Sequence, residues 1–340
     1  MTTGPDTRAD PPRTAATVGS ELRTMLRTRA LDVPLPGSGE TAARWVHLAG
    51  WGRRDPALAR LAEGHADAVA ILAEAGRSAA AATLYGVWAS RSGRTGARLH
   101  GSGTTLRLDG TVRFCSGAHI VDRALVVADL DVSDLGFSDL GGPDDRVLID
   151  VAVAPPGARA DPDSWQTAAM AAADTLDVVF DTLPVARDDI VGSAGWYTSR
   201  PGFALGGGGV AAVWSGAARG LLERAARLLP ADPDAHQLAH LGELHCMLTA
   251  TAAHVDAVAA AIDRGDGEVA RRVGELRGSV ERVARDVVER VPRMLGPAPL
   301  SRDAALATTL ADLALFIRQH HGERDHAAVG RSVLDESATR

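Results

Sequence analysis

Disulfide capacity, a membrane span and a basic tract are what this sequence lacks. Two cysteines, Cys115 and Cys246, stand in 340 residues. They are too few for a disulfide framework and fit a reduced, cytoplasmic setting. No uninterrupted apolar run approaches the roughly 18–20 residues that a bilayer requires, so no membrane partner is expected. The net charge is −7 and the pI about 5.9, with no basic tract. Such a chain carries no electrostatic footprint for DNA or RNA. Residues 1–19 are rich in Thr, Pro, Asp and Arg and have no apolar centre. That excludes a secretory signal and predicts a disordered tail. A second short tail is expected at 331–340. The abundance of Ala, Arg, Gly and Val suggests a GC-rich bacterial genome and says nothing of function.

What the chain does have is length, enough for two or three structural regions. Residues 20–80 read as helical. Asp55-Pro56 is an N-cap followed by proline at the first helical position. Leu58, Leu61, His65, Val69 and Leu72 then form an amphipathic stripe, and Gly76 is a C-terminal stop. Residues 81–200 change texture. Strands are expected at 83–90, 106–114, 124–130, 147–154 and 178–181. Asp109-Gly110, with period-two alternation on either side, predicts a hairpin turn. Strands without long helices between them predict a small antiparallel sheet or barrel. Residues 201–330 return to helical periodicity in four segments. Val269, Val273, Leu276, Val280, Val283 and Val287 form a heptad-like seam, as expected inside a four-helix bundle. The fold class is therefore α+β: a helical region, a β domain, then a helical bundle.

This order, with several local segments, resembles the acyl-CoA dehydrogenase superfamily over about residues 40–325. Arg113-Phe114-Cys115-Ser116-Gly117-Ala118 is similar to the segment whose hydroxyl faces the flavin in that family. The resemblance implies that Ser116 lies near flavin N5, with Phe114 in the aromatic place and Gly117 beside it. Val87-Trp88-Ala89-Ser90-Arg91 is similar to an earlier flavin-facing segment and puts Ser90 and Trp88 there, although Arg91 stands where an acidic residue is usual. Arg200-Pro201-Gly202-Phe203, before glycines 206–209, resembles the approach to the bundle and implies substrate contacts for Arg200, Phe203 and Gly207. Arg302-Asp303-Ala304 resembles the opening of the last core helix. The stretch after that helix often lies near a neighbouring subunit's flavin, which implies Arg318 and Gln319, with His320, as cofactor contacts.

The family's chemistry needs a base for the substrate proton, and a buried carboxylate suits because desolvation raises its pKa. The usual glutamate falls at Ala311 by counting from Arg302, and the alternative place falls near Val210. Neither holds a carboxylate. Asp312 is the one catalytic candidate, as a displaced base; a solvated aspartate on a helix face is the preferred reading. The resemblance implies FAD, with FMN or no flavin as alternatives, because the adenine-side glycine loop shrinks to Met294-Leu295-Gly296-Pro297. It also implies a homo-oligomer, dimer or tetramer.

The remaining polar features carry blander readings. His320, His321, Glu323, Asp325 and His326 form the densest polar cluster, but Gly322 breaks the helical spacing a metal pair needs, and no metal is assigned. Glycines 206–209 lack the Lys-Ser/Thr of a P-loop and read as a connector before a helix. Arg200 serves a phosphate or carboxylate ligand, or a salt bridge, equally well. His65 and His245 read as core histidines. Cys115 has no identifiable base. The expected function is a flavin-dependent oxidoreductase acting on an acyl thioester, CoA- or carrier-protein-linked, or on a related carbonyl compound. The alternatives are a flavin monooxygenase of the same fold and a non-catalytic subunit that completes an active paralogue.

Overall fold

The computed structural model describes residues 13–90, 95–102, 105–131 and 145–339. Residues 1–12 of the expected tail and Arg91 therefore lie outside the described residues. Three helices come first: α1 (Ala15–Arg27), α2 (Thr41–Arg54) and α3 (Pro56–Glu74). The first starts inside the span expected to be a tail, because Thr14 accepts from Thr17 N and closes a capping box. The Asp55 side chain accepts from Leu58 N at 2.7 Å and caps α3, and Gly76 follows its end at φ +70°. Fourteen of the 19 residues of α3 are buried, so the amphipathic stripe widens to almost the whole helix.

Eight strands follow among the described residues: β1 (Tyr85–Trp88), β2 (Ala97–Ser102), β3 (Thr105–Cys115), β4 (Arg123–Leu130), β5 (Arg146–Ala152), β6 (Ala158–Asp161), β7 (Leu176–Val185) and β8 (Ile190–Val191). Their order is β6-β7-β3-β2-β4-β5-β8, with β1 beside β4. The antiparallel expectation needs correction, since β1 and β2 both run parallel to β4, along successive stretches of it. Alternating hydrophobicity reports the faces of a strand and is blind to the direction of its neighbour. Ala124, Val126 and Ala128 join a core with Trp88, Cys115 and Phe180. Leu125 and Leu148 turn the other way, onto Ala68, Ile71 and Leu72 of α3.

Asp109-Gly110 is not a turn. It lies inside β3, where the register against β7 shifts between Leu108 and Gly110. Gly110 adopts φ +111°, and a Cβ there would sit 2.4 Å from Gly96 O. The antiparallel pairing of β2 with β3 runs from Ala97 opposite Gly110 to Ser102 opposite Thr105. The dipeptide has the left-handed freedom that a turn needs, and a bulge uses the same freedom.

The helical part comprises α4 (Trp196–Ser199), α5 (Gly202–Arg227), α6 (Ala235–Asp263), α7 (Val269–Leu295), α8 (Pro297–Arg302), α9 (Ala304–Phe316) and α10 (Glu323–Thr339). Val273, Leu276, Val280 and Val287 of the seam are buried. Glycines 206–209 are not a connector; they lie in the first turns of α5, and α10 fills most of the expected C-terminal tail. A Cβ on Gly208 would meet Trp45 at 2.4 Å, and one on Gly209 would meet Leu48 at 2.9 Å. Close packing of α5 on α2 selects these glycines. Among the described helices α6 is long and apolar enough to cross a membrane by length and composition, and a third of its most apolar window is buried. Scattered polar residues divide this stretch, so it is apolar on average without holding an uninterrupted apolar run.

Candidate functional site

Helix α3 is the partition on which the site is built. One side of it lies on the sheet. His65 Nδ1 accepts from Tyr85 N at 3.2 Å and ties α3 to β1. A proton would forfeit that acceptor, and burial lowers the imidazole pKa to about 4. The other side carries Arg60, Glu63, Asp67 and Glu74 toward α4, α5 and α7.

At the sheet end, Trp88, Ser116 and Gly117 come together. The Trp88 indole donates to Ser116 O at 3.1 Å. The Thr175 hydroxyl donates to Ser116 Oγ at 3.0 Å, which leaves the serine's own O–H to donate elsewhere. Gly117 has φ +74°, and a Cβ there would sit 2.9 Å from Val121 and 3.2 Å from Leu61. Phe114 has φ +60°, a conformation rare for an aromatic residue, and the residue is 52% exposed. It does not share the enclosure of Ser116. Ser90 is half-buried, two residues beyond Trp88. Between Trp88 and Ser90, Ala89 lines a cavity of about 190 Å³ together with Val127, Arg146, Tyr197, Thr198 and Phe203. Tyr197 and Phe203 meet edge to face, their ring centres 5.5 Å apart.

Behind Tyr197 lies an ionic cluster in which Arg200 and Glu63 are buried and Glu74 reaches solvent. Arg200 Nη1 donates to Glu74 Oε2 at 2.7 Å, and Glu74 Oε1 accepts from Gly202 N at 2.9 Å. One carboxylate thus neutralises Arg200 and holds the start of α5. The Arg200 guanidinium also lies over the Tyr197 ring, 5.5 Å from its centre. Asp67 Oδ1 is 4.0 Å from Arg200 Nη2. Glu63 pairs with Arg60 at 3.1 Å. Burial, reinforced by Asp67, raises Glu63 to about 7, and burial also raises Asp67. Burial and these two carboxylates push the Tyr197 phenol up. Arg277 Nη1 donates to Gly207 O at 3.0 Å, and its Nη2 donates to Gln319 O at 3.2 Å. Its guanidinium stacks 4.9 Å from the centre of the Trp214 ring. Gly207 and Gln319 are therefore brought together through their backbones.

Other expected residues lie apart or change character. Arg318 is half-exposed and donates to Glu281 at 3.1 Å. His320 is buried, its ring 4.8 Å from that of His326. Asp312 is not on a solvated helix face. It is 4% exposed, and Oδ1 accepts from Met170 N at 2.5 Å. Burial raises its pKa to about 6. Helical spacing located Asp312 on α9, but the covering segment, Met170 at φ +56° beside a 3₁₀ turn (Ala171–Ala173), comes from the β region. Sequence reasoning missed Glu63, Asp67, Glu74, Tyr197 and Arg277. A signal was present: Arg60, Glu63, Asp67 and Glu74 recur at helical spacing, a stripe that resembles an ordinary wet face.

These features sit in a mixed α and β chain whose fold is shared with solved structures over nearly its whole length and is consistent with an acyl-CoA dehydrogenase-like fold. TdsC from Paenibacillus sp. A11-2, a dibenzothiophene monooxygenase solved with FMN and indole, matches with a TM-score of 0.71 and 18% identity, over 95% of this chain and 96% of its own. Methanesulfinate monooxygenase MsuC from Pseudomonas fluorescens matches with a TM-score of 0.73 and 16% identity, over 96% and 97%. The nitrososynthase from Micromonospora carbonacea var. africana matches with a TM-score of 0.73 and 17% identity, over 96% and 93%. No protein-family profile and no curated protein sequence matches the chain.

Proposed function

We propose that the protein is a flavin-dependent oxidoreductase. The observation that carries this reading is the hydroxyl pair Ser116–Thr175, held by the Trp88 indole at the end of β3 in a chain of this fold. A flavin ring needs a donor beside its reactive nitrogen and an apolar or aromatic face. Ser116 and Gly117 fit the donor's place, and Trp88, bonded to Ser116 O, supplies the aromatic neighbour. The bound flavin would accept or deliver electrons; the protein's residues would orient the substrate and handle its protons. Residues Ala89, Val127, Tyr197 and Phe203 offer a small, largely apolar cavity, and Arg146 and Thr198 add polar groups at its wall. That lining suits a compact substrate with one polar end, an acyl or related carbonyl compound, CoA- or carrier-linked. FMN is favoured over FAD by the single-residue break at Gly296 between α7 and α8, where a dinucleotide's adenine half would want a longer glycine loop.

A second reading, monooxygenation by reduced flavin and oxygen, has equal standing. It is favoured by Ala311 and Val210 at the two places where dehydrogenases carry their base, and by the activities of TdsC and MsuC. A homo-oligomer, a four-helix bundle formed by α5, α6, α7 and α9, and a cytoplasmic setting complete the proposal. The test is the visible spectrum of the purified protein, with the released cofactor identified. Anaerobic bleaching by acyl-CoAs supports dehydrogenation, and oxygen uptake with added reduced flavin supports monooxygenation. A preparation that stays colourless in excess FMN and FAD refutes both and returns a non-catalytic subunit.

A further inference from the structure

The carboxylate that Val210 of α5 and Ala311 of α9 do not supply has a counterpart on α3. Asp67 stands on α3 opposite the first turn of α5. A Cβ on Gly206 would come within 3.2 Å of Asp67 Oδ1, so any side chain at 206 would cover that oxygen. Oδ1 is buried and has no hydrogen-bond partner among the described residues. Across from it, Arg200 has a side chain only 2% exposed, and its Nε is also buried without a partner. Asp67 Oδ1 lies 4.0 Å from Arg200 Nη2, and each of these oppositely charged side chains keeps one buried atom, Oδ1 and Nε, with its hydrogen-bonding capacity unspent, an arrangement that awaits a polar guest. Tyr197 touches both regions: Arg200 lies over its ring, and it lines the cavity with Phe203 and Ala89.

We propose that Asp67 is the proton-transferring residue of this site, supplied from α3 in place of the carboxylate missing near Val210. It would act on a carbonyl substrate with an acidic α-hydrogen, and Arg200 would hold the substrate's oxygen. Asp67 takes the α-proton: an O–H bond forms on the carboxylate as the substrate C–H bond breaks. The electron pair stays on the substrate, delocalised onto the carbonyl oxygen that Arg200 faces, and the reverse transfer restores both. Burial, with the Glu74 carboxylate, favours the protonated form of Asp67, while Arg200, Arg44 and Arg60 oppose it. Arg277 acts on the cluster through Glu63. Glu74, which neutralises Arg200, keeps the arginine from pairing fully with Asp67.

The inference rests on the flavoenzyme reading for its substrate class, but its test does not pass through flavin. The intact protein is incubated with butyryl-CoA in D₂O without oxygen, and deuterium uptake at the α-carbon is followed by mass spectrometry. Wild type exchanges above the buffer rate. Asp67→Asn loses about 100-fold or more, the size expected for a general base. Asp67→Glu recovers part of the rate with a displaced pH profile, which a merely structural residue would not produce. Circular dichroism of each variant confirms that it is folded. An Asp67→Asn protein that is folded and exchanges like wild type overturns the assignment, as does a wild type that binds butyryl-CoA and exchanges nothing. The visible spectrum keeps the two ideas apart. Yellow protein with unaltered exchange in Asp67→Asn sinks Asp67 and leaves the flavin reading standing. Colourless protein whose exchange depends on Asp67 does the reverse.

Discussion

Replacing Gly52 with alanine destabilises the protein by about 2–3 kcal/mol, whereas the same change at Gly50 costs nothing. The two glycines share α2, two residues apart, and differ in what faces them. A Cβ on Gly52 would lie 2.1 Å from Val213 O, with Val213 C at 3.0 Å and Ala217 N at 3.1 Å. Ordinary contact begins at 3.4 Å, so the helices would have to separate by about 1 Å on a steep repulsive wall. The obstructing atoms are backbone and cannot swing aside. The same seam holds Gly216, whose Cβ would be 1.9 Å from Ala49 O, and Gly220, at 2.2 Å from Arg53 O. Separation would therefore loosen several turns of α2 against α5. Overpacking costs about 1–3 kcal/mol where side chains can adjust, and more where backbone meets backbone. Alanine returns about 1 kcal/mol of helix propensity. Gly50 has nothing within 4 Å, so alanine there leaves only the favourable part. Urea denaturation of the two variants, followed by circular dichroism, measures the difference. If Gly52→Ala and Gly50→Ala unfold at the same midpoint, the close approach of α2 to α5 is wrong.

Three further outcomes follow from the buried charges and the hydroxyl pair. The Asp312 pKa of about 6 lies above its ordinary 3.8, so the folded state binds this proton more tightly than the unfolded chain does. Its contribution is fully present below pH 4 and is lost as pH rises to about 6, by about 3 kcal/mol. Wild type minus Asp312→Asn, measured by denaturation across that window, should fall with pH; a level difference excludes a buried Asp312. Glu74→Ala strands the Arg200 guanidinium and removes the acceptor of Gly202 N, costing about 3 kcal/mol, and a midpoint like that of wild type would mean Arg200 is hydrated. On the flavin reading, Ser116→Ala weakens flavin binding about 3- to 10-fold, the worth of one hydrogen bond, and equilibrium dialysis with unchanged affinity would count against Ser116 as a contact.

Much of the framework was legible because it rests on local rules. The cap at Asp55, the stop at Gly76 and the seam from Val273 to Val287 each follow from the helical period and from backbone groups that need partners. The hydroxyl segment around Ser116 was legible through resemblance. Asp109-Gly110 was misread because a bulge and a turn ask the same of glycine. Glycines 206–209 were misread because close packing of a helix and freedom of a loop select the same residue.

The residues of α3 determine by themselves that a long helix forms there and that Arg60, Glu63, Asp67 and Glu74 share one face. They do not determine that this face is dry. That follows only when α4 and α5 bring Tyr197, Arg200 and Gly206 over it, contacts formed across more than a hundred residues of chain. Burial then removes the water that would otherwise screen and hydrate Glu63 and Asp67, and their affinity for protons rises. The same reason separates the Asp312 of the sequence, a polar residue on an apolar helix, from the Asp312 of the fold, closed over by Met170. Charge is written in the sequence; the solvent around the charge is set by the packing of distant segments.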